Sequence, residues 1–402
     1  MLTPQIHLLI VTGQAQANLI PIMQFKPQIV ALAVSKAMQA NAAQFIKLLT
    51  SLAGYQKENI LQFHDVPDVG LEAIKDRAME IEDDLHQRYP GQAIAYHATG
   101  GTKLMALGFY EVFHGSLNTV LYTDTEHGQI EVLSPKNEQP IAIGKVLTIE
   151  SYLFSMDKQI RKRADSAWED KARLRRSLSF WLAQNAEPLE KYWSVINFLA
   201  HQALAEQERG KPPALAAPEQ FFDAKKSTPH GYWKTGLEKC TEVGVCQWDS
   251  GNPQRLYFDD ADGAQYLSGG WLEEYAWLTA SELGCDQVFA NVFFTETGNP
   301  RDDVRNEMDC LILHNNRLLM VECKTSVFRQ GDLKSDGILY KLNTLERRTG
   351  GLFGDAWLVS ARTLDDATRN RAREYRIKVI EGGEVKQIKD RIQEWMGSKV
   401  LV

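Results

Sequence analysis

Two carboxylates and a lysine, Asp309, Glu322 and Lys324, are spaced so that one short chain reversal could bring them together. Apolar, β-prone residues flank the His-Asn-Asn-Arg segment between the acids, and asparagine tolerates the positive φ of a two-residue hairpin turn. With the turn at Asn315 and Asn316, Asp309 lies directly opposite Glu322, and their Cβ atoms are about 5 Å apart. Lys324 then projects from the same face, because side chains alternate along a strand.

This arrangement predicts a site for a hard divalent cation. Like charges placed opposite one another destabilise a sheet unless something between them compensates. Mg²⁺ takes one or two carboxylates and several waters, and it lowers the pKa of a bound water that a neighbouring ammonium can orient. The alternative is a surface hairpin with three scattered charges. The apolar run 318–321 argues against it, since charges are rare at the end of a buried strand.

A cysteine nucleophile is a second chemistry to consider, because Cys310 and Cys323 adjoin the two acids. A thiol nucleophile needs a basic partner, and His314 lies at the opposite end of the predicted hairpin. We therefore expect no thiol catalysis at this site.

The same residues resemble a known signature. Asp309 followed by Glu322-Cys323-Lys324 resembles the core of the PD-(D/E)xK nuclease superfamily, and the glycine-led acidic segment 269–275 resembles its first helix. The resemblance implies metal-dependent phosphodiester hydrolysis, in which Asp309, Glu322 and the Cys323 carbonyl ligate Mg²⁺ or Mn²⁺. Lys324 would position the attacking water. The first helix would contribute one more acid to orient a water or a second metal: Glu273 is preferred, and Glu274 is the alternative.

Basic residues follow the second catalytic strand on a predicted helix. In many relatives of this superfamily that helix meets the phosphodiester backbone, which implies substrate contacts for Lys341, Arg347 and Arg348. A solvated helix surface is the alternative.

Composition indicates a globular protein of two or three domains, with 402 residues, 44% of them hydrophobic and 24% charged. The net charge of −7 excludes a generally basic nucleic-acid binder, so a polyanionic substrate must be met by local basic groups and by metal. The five cysteines form no CxxC pair, and no apolar run has the length of a membrane span. The N-terminus also lacks the pattern of a signal peptide. We expect a cytoplasmic protein.

The first 150 residues alternate short apolar runs with helical patterns, which predicts a Rossmann-like, doubly wound parallel sheet. The predicted strands are 7–11, 29–34, 93–97, 119–123 and, as an edge strand, 130–133.

Ligands bind such sheets beyond the carboxyl ends of the strands, where the loops 12–18 and 98–103 lie. The second loop reads Ala-Thr-Gly-Gly-Thr-Lys and offers glycine backbone, hydroxyls, a lysine and free helix amides, which suits an anion. A plain Gly-Gly turn with a solvated Lys103 fits the same residues. Neither a dinucleotide fingerprint nor a Walker loop is present.

A sheet of this order with a strand-TGGTK-helix segment resembles the CARF domain of type III CRISPR accessory proteins. In that family two protomers share a pocket for a cyclic oligoadenylate, which implies a homodimer. The residues that match the pocket are Thr12, Gln14, Asn18, Thr99, Gly100, Gly101, Thr102 and Lys103, with Asp124 as a weaker candidate. Together with the nuclease signature, this module resembles the CARF–nuclease effectors that cyclic tetra-adenylate activates.

The chain therefore divides into a CARF-like sensing domain (1–150), a middle region (151–262) and a restriction-endonuclease-like α/β domain (263–402). We expect the middle region to be a helical connector that begins with a basic helix over 158–176 and continues with a helix over 188–208. Trp193 and Phe198 have core spacing on the second helix. A hairpin between 246–248 and 255–258 could make the region winged-helix-like, with Trp233 and Trp248 in its core.

Two functions of different class follow. The first is a cyclic-oligoadenylate-activated, metal-dependent nuclease of antiviral CRISPR defence that hydrolyses DNA, RNA or both. The alternative is a CARF-type, ligand-responsive DNA-binding transcription regulator whose C-terminal domain is inert, although the complete Asp309, Glu322 and Lys324 set argues against inertness. A nucleotide-binding metabolic enzyme is a third class, and the missing dinucleotide fingerprint disfavours it.

Overall fold

Strands and helices alternate through the N-terminal part of the chain, as the sequence predicts. The computed structural model describes residues 4–115, 117–206, 212–297, 306–326, 333–348 and 354–398. The N-terminal elements are β1 (Ile6–Ile10), α1 (Ala15–Phe25), β2 (Ile29–Ala33), α2 (Gln39–Ser51), β3 (Ile60–Phe63), α3 (Leu71–Arg88), β4 (Ile94–His97), α4 (Lys103–Phe113), β5 (Thr119–Asp124), β6 (Gln129–Ser134), β7 (Ile141–Ala142) and α5 (Ile149–Ser155).

These strands form one seven-stranded sheet in the order β3-β2-β1-β4-β5-β6-β7. The first five are parallel, which confirms the predicted doubly wound sheet, and β6 and β7 are antiparallel additions. The prediction that 130–133 is the edge strand is wrong, because β7 pairs with the outer side of β6. Strand β7 has only two residues, which are too few to show the alternation by which a strand is predicted. The winding direction reverses between β1 and β4, so the loops after these neighbouring strands border one crevice.

The middle elements are β8 (Lys158–Lys162), α6 (Ser166–Leu174), α7 (Arg176–Gln184), α8 (Ala186–Ala203), β9 (Glu219–Phe221), α9 (Tyr232–Glu242), β10 (Gln247–Trp248), β11 (Arg255–Tyr257) and α10 (Ala261–Gln265). The predicted helix over 158–176 is wrong in its first part, since residues 158–162 form a strand on β12 (Gln287–Glu296) of the C-terminal sheet. Lys158 is buried there and pairs with Glu296 at 2.9 Å. A charged strand can pair with a sheet edge wherever the partner strand supplies counter-charges, which local sequence does not reveal.

The predicted hairpin in the middle region is confirmed, because β10 pairs with β11 in a three-stranded sheet of order β10-β11-β9. Trp193, Trp233 and Trp248 are buried, as predicted. Phe198 is not in the core and is 58% exposed. It lies on a different face of α8 from Trp193.

A six-stranded mixed sheet with flanking helices forms the C-terminal part, as predicted, in the order β16-β15-β14-β13-β12-β8. Its further elements are α11 (Trp271–Glu282), β13 (Asn306–His314), β14 (Arg317–Lys324), α12 (Leu333–Arg348), β15 (Gly354–Ser360), α13 (Asp366–Glu374), β16 (Lys378–Glu381) and α14 (Ile388–Gly397). A π-helical turn, Tyr266–Gly270, precedes α11.

One hydrophobic core joins the two large sheets. It includes Leu19 and Ile20 on α1, Tyr152 on α5, and Leu313 and Leu318 on the β13–β14 hairpin. The N-terminal sheet and the C-terminal hairpin are therefore packed on a shared interior. None of the described helices is long and apolar enough to cross a membrane.

Candidate active site and ligand crevice

The β13–β14 hairpin has the predicted turn and register. Asn315 and Asn316 have φ values of 48° and 61°, which a primed two-residue turn requires. Cys310 pairs with Val321 and His314 with Arg317, so the next position along the ladder sets Asp309 opposite Glu322. Turn chemistry alone thus fixes which acids meet.

The two acids and the lysine converge at the end of the hairpin away from the turn. Asp309 and Glu322 are 5% and 3% exposed. Lys324 Nζ lies 3.0 Å from Glu322 Oε1 and 3.7 Å from Asp309 Oδ2. The backbone N–H of Cys323 donates to Asp309 Oδ2 at 2.6 Å, which fixes the orientation of that carboxylate.

A second lysine completes the cluster. Lys341 on α12 donates from Nζ to Glu322 Oε2 at 2.6 Å and to the Glu307 carbonyl at 2.8 Å. Both carboxylate oxygens of Glu322 therefore contact a lysine ammonium. Of the other two basic residues predicted on this helix, the side chains of Arg347 and Arg348 lie outside the described residues.

The adjacent acids on α11 face different surroundings. With the Asn291 amide oriented so that its nitrogen faces α11, Nδ2 donates to Glu273 Oε2 at 3.2 Å and Oδ1 accepts from Trp168 Nε1 at 3.3 Å. Burial, followed by repulsion from Asp309, raises the pKa of Glu273 well above its usual value. Glu274 instead pairs with Arg175 at 2.5 Å, among the helices of the middle region. Glu273 is therefore electrostatically coupled to the hairpin acids, whereas Glu274 is paired with Arg175 of the middle region.

Burial and charge pairing together set the pKa values of the cluster. It raises the pKa of Asp309 to about 7, and repulsion from Glu322 adds to the shift while Lys324 opposes it. Burial alone would lower the pKa of Lys324, but attraction from Asp309 and Glu322 outweighs it, so that pKa is raised. Lys324 is consequently a permanent cation at neutral pH.

The donor set suits a hard cation that keeps several waters. In the described part of the chain, no three side chains from histidine, cysteine, aspartate and glutamate are grouped to hold a metal ion by themselves. Two buried carboxylates on facing strands and a nearby backbone carbonyl still offer the few hard oxygens that Mg²⁺ or Mn²⁺ needs beside water. Asp309, Glu322 and Cys323 therefore fit the predicted ion.

The two cysteines beside the acids are buried thiols. Burial raises the pKa of Cys310 and of Cys323, so neither is a thiolate at neutral pH. His314, near the turn, lies 3.9 Å from Asp286. That no thiol acts as nucleophile stays a prediction.

In the N-terminal sheet, the loops after β1 and β4 meet at the carbonyl of Ile10. Asn18 donates from Nδ2 to this oxygen at 2.9 Å. A Cβ on Gly100 would lie 2.1 Å from the same oxygen, so only glycine allows this close approach. Asn18 therefore ties the first loop to the end of β1, and Gly100 lets the second loop pack against the same carbonyl.

The remaining predicted pocket residues divide into structural and accessible ones. Thr99 accepts from the N–H of Thr123 at 2.8 Å, and Thr102 caps α4 by accepting from Met105 N at 3.2 Å. Asp124, the weaker candidate, is bonded to His127. Gln14, Gly101, Thr102 and Lys103 are exposed at this edge and accessible to a ligand, and Thr12 and Thr99 are half-buried.

Sequence reasoning missed several polar residues at both sites. Gln16 is buried beside the first loop, and its Nε2 has no hydrogen-bond partner among the described residues. Glu307, whose pKa is raised by burial and by Glu322, lies two positions before Asp309 and thus on the same strand face. Strand alternation could have identified Glu307 in advance. The contact of Lys341 with Glu322 depends on how α12 packs, which the sequence does not specify.

Comparison with protein families matches both ends of the chain. Residues 6–152 match the model of the Card1 CARF domain, and residues 260–399 match that of the Card1-like endonuclease domain. No curated protein matches the chain.

Two solved structures share the fold over almost the whole length. Protein VC1899 from Vibrio cholerae superimposes with a TM-score of 0.80 at 21% identity, over 98% of each chain. Can2 from Sulfobacillus thermosulfidooxidans, solved in complex with cyclic tetra-adenylate, gives 0.72 at 20% identity, over 98% of this chain and 97% of that one. The order of N-terminal sheet, middle region and C-terminal sheet is therefore common to all three proteins.

Proposed function

We propose that the chain is a CARF–nuclease effector of type III CRISPR defence, a metal-dependent nuclease activated by cyclic tetra-adenylate. The observation that carries this proposal is the convergence of Asp309, Glu322 and Lys324 inside the segment that matches an endonuclease domain. Residues 1–150 would sense the activator, 151–262 would connect, and 263–402 would cleave.

The C-terminal domain would act as a PD-(D/E)xK nuclease. Asp309, Glu322 and the Cys323 carbonyl would hold Mg²⁺ or Mn²⁺, which when bound supplies Lewis acidity and a water of lowered pKa. Lys324 is cationic and adjoins both acids, so it can orient the attacking water and stabilise charge on the phosphoryl oxygens. Glu273, with its raised pKa, can hold a proton or orient a second water.

The N-terminal crevice would bind the activator. Cyclic tetra-adenylate carries four phosphates and no free end, so it suits a two-fold pocket built from two copies of Lys103 and of the amides at the start of α4. The likeness in fold to Can2 in its cyclic tetra-adenylate complex supports this ligand. The proposed active form is a homodimer. Activator binding would favour the arrangement of the two protomers for which the ligand has the higher affinity.

The alternative transcription regulator is not favoured. Two carboxylates are buried beside two lysines in the C-terminal domain. Burying these charges costs stability, which favours a functional site over an inert domain. All five cysteines are free thiols, which suits the proposed cytoplasmic location.

A cleavage panel tests the proposal and identifies the substrate. Labelled single- and double-stranded DNA and RNA are incubated with Mn²⁺ and with cyclic oligoadenylates of each ring size. The wild type is compared with Lys103→Ala and, as a control on an exposed lysine at the opposite edge of the same sheet, Lys136→Ala. We expect the activator to stimulate cleavage by all three proteins. Lys103→Ala alone should need a higher activator concentration to reach the same stimulation. Cleavage that no ring size changes would reject the sensing role.

A further inference from the structure

The turn of the catalytic hairpin is bound to the segment that leaves the sensing sheet. Asn316 is 6% exposed, and its Oδ1 accepts from the N–H groups of Val146 and Leu147, both at 2.9 Å. Its Nδ2 donates to the Gly144 carbonyl at 2.7 Å. Glycine would serve the positive φ of this turn position equally well. The asparagine side chain is therefore needed for the interdomain contact and not for the turn.

The same segment is held from the other side by the first helix of the sensing domain. Gln24 on α1 accepts at Oε1 from the Gly144 N–H at 2.9 Å and donates from Nε2 to the Ala142 carbonyl at 2.9 Å. Gly144 is thus bonded to helix α1 through its N–H and to the catalytic hairpin through its carbonyl. Helix α1 begins at Ala15, immediately after the loop that carries Thr12 and Gln14.

Further contacts make this junction stiff. Asp286 accepts from the Asn315 N–H at 2.7 Å and pairs with Lys145 at 2.8 Å, and the Ile149 N–H donates to Gln287 at 2.7 Å. Helix α1 and the hairpin also share one hydrophobic core. Because close-packed interiors transmit displacement, a shift of α1 reaches the hairpin turn.

A change in the hairpin's tilt would alter the active site. Glu322 lies six residues from Asn316, or about 20 Å along the strand. Asp309 and Glu322 move with the hairpin, whereas Glu273 and Lys341 are held on the helices α11 and α12. A tilt therefore changes the distances between the hairpin acids and these two partners.

We propose that the hydrogen-bonded chain Gln24–Gly144–Asn316, which we term the Gly144 relay, transmits occupancy of the N-terminal crevice to the catalytic hairpin. Asn316 is then a positioning residue that couples activator binding to the geometry of Asp309 and Glu322. This inference rests on the proposed function and adds its route of regulation.

The test measures the activation ratio, which is the cleavage rate with saturating cyclic tetra-adenylate divided by the rate without it. Asn316→Gly removes all three side-chain bonds and leaves the favoured Asn-Gly turn, and Gln24→Met removes the link on the sensing side. Asn315→Gly is the matched control, because it places glycine in the same turn and leaves the relay intact. We expect the ratio to fall about tenfold or more in the two relay variants and to stay within about twofold in the control.

Distinct results would overturn the relay. An activation ratio in Asn316→Gly equal to that of the wild type contradicts the relay. An equal loss of the basal and the stimulated cleavage rates also contradicts it, because such a loss indicates a purely structural role for Asn316. The double variant should be no worse than the worse single variant, because both changes interrupt one chain of contacts; additive losses contradict the relay. If thermal melting shows that Asn316→Gly does not fold, the activation ratio of Gln24→Met tests the relay in its place. If the wild type neither cleaves nor binds the activator in calorimetry, the proposed function itself has failed.

Discussion

Lys341 Nζ lies 2.6 Å from Glu322 Oε2, so a lysine from helix α12 contacts one carboxylate oxygen of the proposed metal ligand Glu322. Lys324 contacts the other oxygen at 3.0 Å. Both oxygens of the buried Glu322 carboxylate are thus paired with lysine ammonium groups. A cation at this site must compete with Lys341.

Replacing Lys341 with methionine should therefore strengthen metal binding and weaken catalysis. We expect Mn²⁺ affinity to rise about tenfold, or ~1.4 kcal/mol, because the competing ammonium is gone. Cleavage should fall, because Lys341 would contact the substrate phosphate once released. Electron paramagnetic resonance titration of free Mn²⁺, without substrate, measures the affinity.

The matched control is Lys162→Met. Lys162 acts electrostatically on Glu307 at the same cluster, but it is exposed on β8. Equal Mn²⁺ affinities in the Lys341 and Lys162 variants would show that general charge, and not contact with Glu322, governs binding.

Metal affinity should depend on pH through Asp309, whose pKa is raised to about 7. A ligand carboxyl must lose its proton to bind metal, so protons compete below pH 7. We expect Mn²⁺ affinity to rise about tenfold per pH unit between pH 5.5 and 6.5 and to level off above about pH 8. Isothermal titration at several pH values measures this; a flat profile would contradict the buried, protonatable Asp309.

The same carboxyl should also make metal-free stability depend on pH. Because the folded protein binds this proton more tightly than the unfolded chain, the contribution of Asp309 to the free energy of unfolding falls as pH rises from about 4 to 7. It is constant above that window. Asp309→Asn can still accept from the Cys323 N–H, and it should melt higher than the wild type at pH 8. A lower melting temperature for Asp309→Asn would contradict the claim that burying the ionised Asp309 carboxylate destabilises the fold.

The two adjacent acids on α11 should differ in function. Glu273→Gln should lower kcat by about tenfold to 100-fold, the range seen for groups that orient metal-site partners. Glu274→Gln is the matched control on the same helix, and its amide oxygen can still accept from Arg175. It should stay within about threefold of the wild-type kcat. A larger loss of kcat in Glu274→Gln than in Glu273→Gln would assign the catalytic role to Glu274.

A stability prediction concerns the junction of the two pocket loops. Gly100→Ala should lower the free energy of unfolding by about 1–3 kcal/mol, because its Cβ would lie 2.1 Å from the Ile10 carbonyl oxygen. Gly13→Ala in the other loop should change little, since no described atom lies within 4 Å of the Cβ position. Thermal melting compares them; equal effects would contradict the close approach at Gly100.

Local sequence predicted the features that depend on local physics. The Asn315–Asn316 turn fixes the register of β13 and β14, and alternation then places Lys324 beside the acids, so the centre of the site followed from a few residues. The parallel sheet followed in the same way from alternating strand and helix patterns.

Features that depend on tertiary packing were not predictable. Residues 158–162 carry charges that suit a helix, and they form a strand because β12 offers a free edge and Glu296 a counter-charge. The bond of Asn316 to Gly144 joins positions 172 residues apart. The positive φ of Asn316 was predictable, but its interdomain partner was not.

In the proposed function, Asp309 and Glu322 support phosphodiester hydrolysis under control of the activator. The most direct measurement is single-turnover cleavage of the preferred nucleic acid by purified wild type and Glu322→Gln, with Mn²⁺ and cyclic tetra-adenylate. We predict a rate at least about 100-fold lower in the variant, with an unchanged affinity for the activator. Cleavage by Glu322→Gln at the wild-type rate would contradict the account.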